Sequence, residues 1–370
     1  MNQPCISRRD LLRAGAALAL GAIATGRSLH ADAQSIKKVR FAIATKTVSP
    51  IIINVLIPEY LGYFKEEGLS VETIPLGSNA AVMAGLEAKR VEFGVGVPSF
   101  QIPLVAKGEK LPAVNFFEYA YPFKWAVAVK PESGMKALAD LRGKKLGVSS
   151  FGQSDFPVGK ALLRLVQLDP EKDVQWLAVG ENITAGQALQ RSDVDALVYY
   201  DTGFGAIEAA GIAMRYLPLP RNVPKVGGLY LSATRDMLKE NRNWAVGIAR
   251  ATAKTQVFIQ ANPEAAAYAF LQMYPEAAPR AVSVEDQVKA IMVPVLKRAP
   301  LYSHYDKSIT KWGHISASEW NDEIAFLELG GKVKDPSIFF TNELIDEANR
   351  FDPEKVRQHA KSFRLPYKKG

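Results

Sequence analysis

The chain has 370 residues, with 46 lysines and arginines against 38 aspartates and glutamates and a formal charge of +8. A chain this long can bury most of its apolar surface in one or two domains. The charge is dispersed rather than gathered into a basic stripe with interleaved aromatics, which argues against a nucleic-acid binder and leaves at most a mild attraction for anions.

Residues 1–33 read as a targeting segment. Ser7-Arg8-Arg9-Asp10-Leu11-Leu12 matches a twin-arginine signal, 14–24 is a mildly apolar core, and Ala31-Asp32-Ala33 offers an A-x-A cleavage site. Cleavage would export the protein and remove Cys5, the single cysteine, leaving no disulfide, no cysteine metal ligand and no cysteine nucleophile. No later run of some twenty apolar residues follows, so a soluble protein is expected.

Residues 39–45 predict the first strand, buried on both faces. The loop at its carboxyl end carries Thr45, Lys46, Thr47 and Ser49. That is the edge where open α/β sheets hold ligands, although Lys46 reads more readily as a solvated lysine. A helix through Tyr60, Leu61 and Phe64 should stop at Gly68, where a left-handed residue is needed. Alternation over 69–75 predicts a strand, Ser78 and Asn79 open a helix running to about Lys89, 91–97 is a strand, and Pro98 suits the first turn of the next helix. Ser78, Asn79, Ser99 and Phe100 thus stand at helix entrances, where free N–H groups and the helix dipole can hold an oxyanion or a carbonyl. Capping alone explains Ser78 and Asn79 as well.

A strand over 111–119 leads into the aromatic stretch at 119–125. Tyr119, Tyr121 and Trp125 are candidates for a wall on which a planar ligand stacks, with ordinary core packing as the competing reading. A second lobe then repeats the first: strand 145–148, helix 157–168, strand 174–179, helix 183–190 and strand 194–200. Val91-Glu92 and Val194-Asp195 each follow their lobe's first strand by about fifty residues, which signals duplicated architecture. Ser149, Ser150, Gln153, Ser154 and Asp155 form a helix entrance with more polar residues than one cap requires. Tyr200 and Asp201 end the lobe's last strand and either meet a ligand or cap the following helix. Residues 226–232 return as a strand beside 125–130, making two crossings and a hinge. Helices follow over 235–260, after Asn262-Pro263, at 319–329, at 342–350 and after Asp352-Pro353.

Three alternatives fail on spacing. Gly94-Val95-Gly96 lacks a third glycine, having Ser99 there, and Pro98 interrupts the loop, so no dinucleotide cofactor is expected. Gly147-Val148-Ser149-Ser150-Phe151 is not a nucleophile elbow, because Phe151 replaces the second glycine. His304, His314 and His359 are too scattered for a metal motif.

Residues 60–72, YLGYFKEEGLSVE, with Gly77-Ser78-Asn79, Val91-Glu92-Phe93-Gly94-Val95-Gly96 and Pro98-Ser99, resemble the periplasmic binding proteins of the nitrate, sulfonate, taurine and thiamine-pyrimidine ABC importers. The resemblance continues to about residue 275 and returns at Thr341-Asn342-Glu343. It implies an α/β, type II periplasmic binding protein, with a lobe at 36–122, a second at 123–225, and 226–370 returning to the hinge and the first lobe. It implies a monomer in the periplasm, to which the twin-arginine signal would export it, that passes a sulfonate, pyrimidine or aromatic acid to an ABC permease, with no catalytic residue, no metal and no cofactor. A fungal pyrimidine synthase of similar fold uses a cysteine-rich iron motif, which a chain without mature cysteine lacks. A sensor domain for a membrane kinase is the other alternative.

Overall fold

A computed structural model describes residues 36–121, 124–302 and 308–368. The targeting segment, Pro122, Phe123 and His304 lie outside the described residues. The strands are β1 Lys37–Ile43, β2 Leu69–Pro75, β3 Phe93–Gly96, β4 Val114–Ala120, β5 Trp125–Val129, β6 Lys145–Val148, β7 Gln175–Ala178, β8 Ala196–Tyr200, β9 Arg215–Tyr216 and β10 Leu229–Ala233. The helices of eight residues or more are α1 Asn79–Glu87, α2 Pro98–Ala106, α3 Asp155–Leu165, α4 Ile183–Gln190, α5 Asp201–Ala209, α6 Arg242–Ala261, α7 Pro263–Met273, α8 Val284–Arg298, α9 Ala317–Phe326 and α10 Pro353–Ser362.

Two five-stranded sheets result, ordered β2-β1-β3-β10-β4 and β7-β6-β8-β5-β9. In each, three parallel strands come from strand-helix-strand crossovers and a fourth inserts antiparallel, β10 in the first sheet and β5 in the second. The repeated Val-acid pair has one structural job in both sheets. Glu92 accepts from the Arg40 N–H at 2.7 Å, and Asp195 accepts from the Lys145 N–H at 2.8 Å, so the two carboxylates bind β1 and β6, the corresponding parallel strands of the two sheets.

Three expectations change. The helix expected before Gly68 is broken: Gly62 adopts φ +79°, and only Ile53–Leu56 and Tyr63–Glu66 are helical on either side of it. Strand β10 does not lie beside β5. All five of its residues are buried, and it fills the slot between β3 and β4, where the Ser232 hydroxyl donates to Asn115 of β4. Helix α8, in the tail assigned to the first lobe, packs instead on α5 behind the second sheet as well as on α7. Gly205 permits this approach, since a Cβ there would stand 2.7 Å from the Pro294 Cα.

Candidate functional site

The carboxyl ends of β1, β3, β6 and β8 converge on a cavity between the sheets. The first sheet and its helices contribute Thr45, Asn79, Val95, Val97 and Tyr119. The second contributes Ser149, Gln153, Ser154, Asp155 and Tyr200, and the hinge adds Lys124, Trp125 and Leu229. The walls are largely apolar, with Tyr200 stacked on Tyr199 at 4.3 Å between ring centres. Several buried polar side chains are held by neighbours through one of their atoms. Asp155 accepts from the Ser149 N–H at 2.7 Å and from its hydroxyl, and burial pushes the Asp155 carboxyl up to about 7.

Across the cleft the Gln153 side chain joins the two halves. Gln153 Nε2 donates to the Ala44 carbonyl at 2.6 Å, and Gln153 Oε1 accepts from Asn79 Nδ2 at 2.9 Å. Replacing Gln153 by alanine removes both bonds. We expect solute affinity to fall about thirtyfold, since each of the two net hydrogen bonds contributes about 1 kcal/mol. Calorimetric titration with any bound solute checks this, and an unchanged affinity would refute the latch.

Nine of the sixteen residues singled out from sequence line the cavity: Thr45, Asn79, Tyr119, Trp125, Ser149, Gln153, Ser154, Asp155 and Tyr200. Seven do not. Lys46 is exposed and lies against Gly77. The Ser78 hydroxyl is used in capping, accepting from the Ala81 N–H. Ser99 is buried in the first turn of α2, and Phe100 packs against the core. The Tyr121 hydroxyl donates to the His314 carbonyl. The Ser150 carbonyl accepts from the Gln153 N–H, holding the turn. Asp201 is taken by Arg298.

Sequence reading missed Lys124, Arg298 and a buried acidic group. The Lys124 ammonium lies 3.6 Å from the centre of the Trp125 ring and donates to the Gly227 carbonyl, while the Gly227 N–H donates to Glu323 at 2.7 Å. Both hinge crossings are thus tied together at the cavity floor. Beneath them Glu118, Glu319 and Glu323 are all buried. The signal available was Glu118 itself, a lone acid inside the mostly apolar Val114–Ala120 run. The hinge leaves no room at Gly227, which adopts φ +89° and where a Cβ would stand 1.9 Å from Trp125. Gly227→Ala should therefore cost more than about 2 kcal/mol in urea denaturation; a loss below about 0.5 kcal/mol would show that the crossing yields easily.

Two α/β lobes with a cavity at the strand ends between them constitute the type II periplasmic binding protein fold. Solved structures share it. A protein of Bordetella bronchiseptica RB50 aligns with TM-score 0.65 at 22% identity, over 85% of this chain and 98% of that one. The alkanesulfonate-binding protein SsuA from Xanthomonas axonopodis pv. citri, bound to MOPS, gives 0.62 at 13%, over 85% and 98%. The periplasmic aliphatic sulphonate binding protein SsuA of Escherichia coli gives 0.61 at 18%, over 80% and 92%. At these identities the likeness is one of fold. Residues 49–266, more than half of the chain, match the family described as NMT1/THI5 like, and the chain belongs to that family. A Haemophilus influenzae protein assigned to thiamine biosynthesis is 28% identical over 233 residues, 62% of this chain and 71% of that protein.

Proposed function

We propose that the protein is the periplasmic solute-binding component of an ABC importer, working as a monomer and without catalysis. Its lobes close on one small organic solute and present the loaded form to the permease. The observation that carries this reading is the Gln153 bridge. It touches Ala44 and Asn79 on one side of the cavity from a loop on the other, and so exists only when the halves are together. A solute in contact with both halves favours that arrangement over an open one.

Thermal shift and small-angle scattering on a panel of sulfonates, pyrimidines and aromatic acids test the reading. A solute at a hundred times its Kd adds about 2.7 kcal/mol, and it should shrink the radius of gyration. Stabilisation with no contraction would oppose the two-lobe closure, and no response to any of the three classes would oppose the reading as a whole.

A further inference from the structure

We propose that the cavity selects its solute by N–H donors, read by Asn79 Oδ1 from one lobe and Asp155 Oδ1 from the other. The inference rests on the solute-binding reading and narrows the class of solute.

A carbonyl oxygen can only accept, so the Gln153 atom 2.6 Å from the Ala44 carbonyl is its NH₂ group. The opposite atom of that amide, 2.9 Å from Asn79, is then an oxygen, and the Asn79 atom facing it is an NH₂ group. The Asn79 carbonyl oxygen is left with no partner, on a side chain that is 3% exposed and lines the cavity. Asp155 behaves alike. One of its oxygens takes both donors of Ser149, and the other makes no hydrogen bond of good geometry, with only the N–H groups of Asp155 and Phe156 acting on the carboxyl from the start of α3, on a side chain that is 1% exposed. The Tyr119 hydroxyl, also lining the cavity and unpartnered, can serve either polarity.

Buried acceptors left unpaired cost free energy, and a solute with N–H groups relieves that cost. A sulfonate or carboxylate brings acceptors only. It would leave both oxygens unpaired and set its own charge near Asp155. Lys124, the one cation lining the cavity among the described residues, does not reverse this preference, because its ammonium is engaged by Gly227 and the Trp125 ring beside Glu323.

The test uses four ring compounds of similar size at pH 8, above the value of about 7 to which burial pushes Asp155. Benzamidine and 2-aminopyridine carry donors, whereas benzoate and benzenesulfonate carry acceptors only. Calorimetric titration should find the donor probes at least tenfold tighter, and Asp155→Asn should reduce that ratio about tenfold. Equal or tighter binding of benzoate or benzenesulfonate overturns the inference and leaves the solute-binding reading intact. Failure of both donor probes at millimolar concentration also overturns it, while the scattering experiment still decides the broader reading. If Asp155→Asn does not fold, the wild-type ratio alone decides.

Discussion

Arg298→Met should lower the stability of the protein by about 3–5 kcal/mol, the cost of removing one partner from a buried ion pair. Arg298 is fully buried at the end of α8. Its Nε and Nη2 donate to the two Asp201 oxygens at 2.7 and 2.5 Å, and its Nη1 donates to the Ile51 carbonyl at 3.0 Å. One guanidinium therefore holds the start of α5, next to the cavity residue Tyr200, against the loop after β1. The methionine would fill much of the volume and leave the Asp201 carboxylate without its counter-charge. Urea denaturation checks the size of the loss, and Arg298→Met combined with Asp201→Asn should recover most of it. A single-variant loss below about 1 kcal/mol would show that water replaces the guanidinium.

The second large effect concerns pH. Glu118, Glu319, Glu323 and Lys124 share a dry space with the hydroxyls of Tyr121 and Tyr230, and with Asp201, Arg298 and Asp322 close enough to act on it. Three carboxylates and one ammonium cannot all be ionised there. Burial pushes Glu319 up to about 7 and Glu323 to about 8, and Glu118 well above the carboxyl range, with the Glu319 carboxyl adding to the effect on Glu118. The folded state thus keeps protons that the unfolded chain releases near pH 4.5. Stability from these groups is fully present below that pH and is lost as pH rises through 7 to 8. Lys124 runs the other way. Burial lowers it to about 7, so its contribution grows with pH only above that point. The window from about 4.5 to 7 belongs to the carboxyls. Across it each carboxyl that stays protonated costs about 3 kcal/mol, so we expect a loss of several kcal/mol and a clear fall in Tm, and Glu319→Gln should flatten the slope. Parallel Tm profiles for wild type and Glu319→Gln would sink this account.

Local chemistry made most elements legible. Leu69–Pro75 alternates as a half-buried strand must, Gly68 sits at φ +71°, and Pro98 takes the first turn of α2. The cavity was legible to the extent that it gathers polar loops at strand ends, which is why Thr45, Asn79 and the Ser149–Asp155 loop fall on it. What escaped was long-range pairing. Asp201 could be read as a cap or a ligand contact, but its partner lies 97 residues away with no local mark. Tyr121 belongs to the same aromatic run as Tyr119, yet its hydroxyl is spent on His314, 193 residues distant. The placement of β10 depended on which slot remained unfilled, a property of the assembled sheet.

Each crossing between the lobes runs, within a few residues, into the antiparallel strand that sits inside the sheet it enters, β5 on the outward passage and β10 on the return. Both tethers are therefore anchored in the middle of a rigid plate and cannot be drawn out by peeling an edge. In the proposed closure, a hinge fixed in this way would turn like an axle, with little of the work of a guest spent on local unravelling.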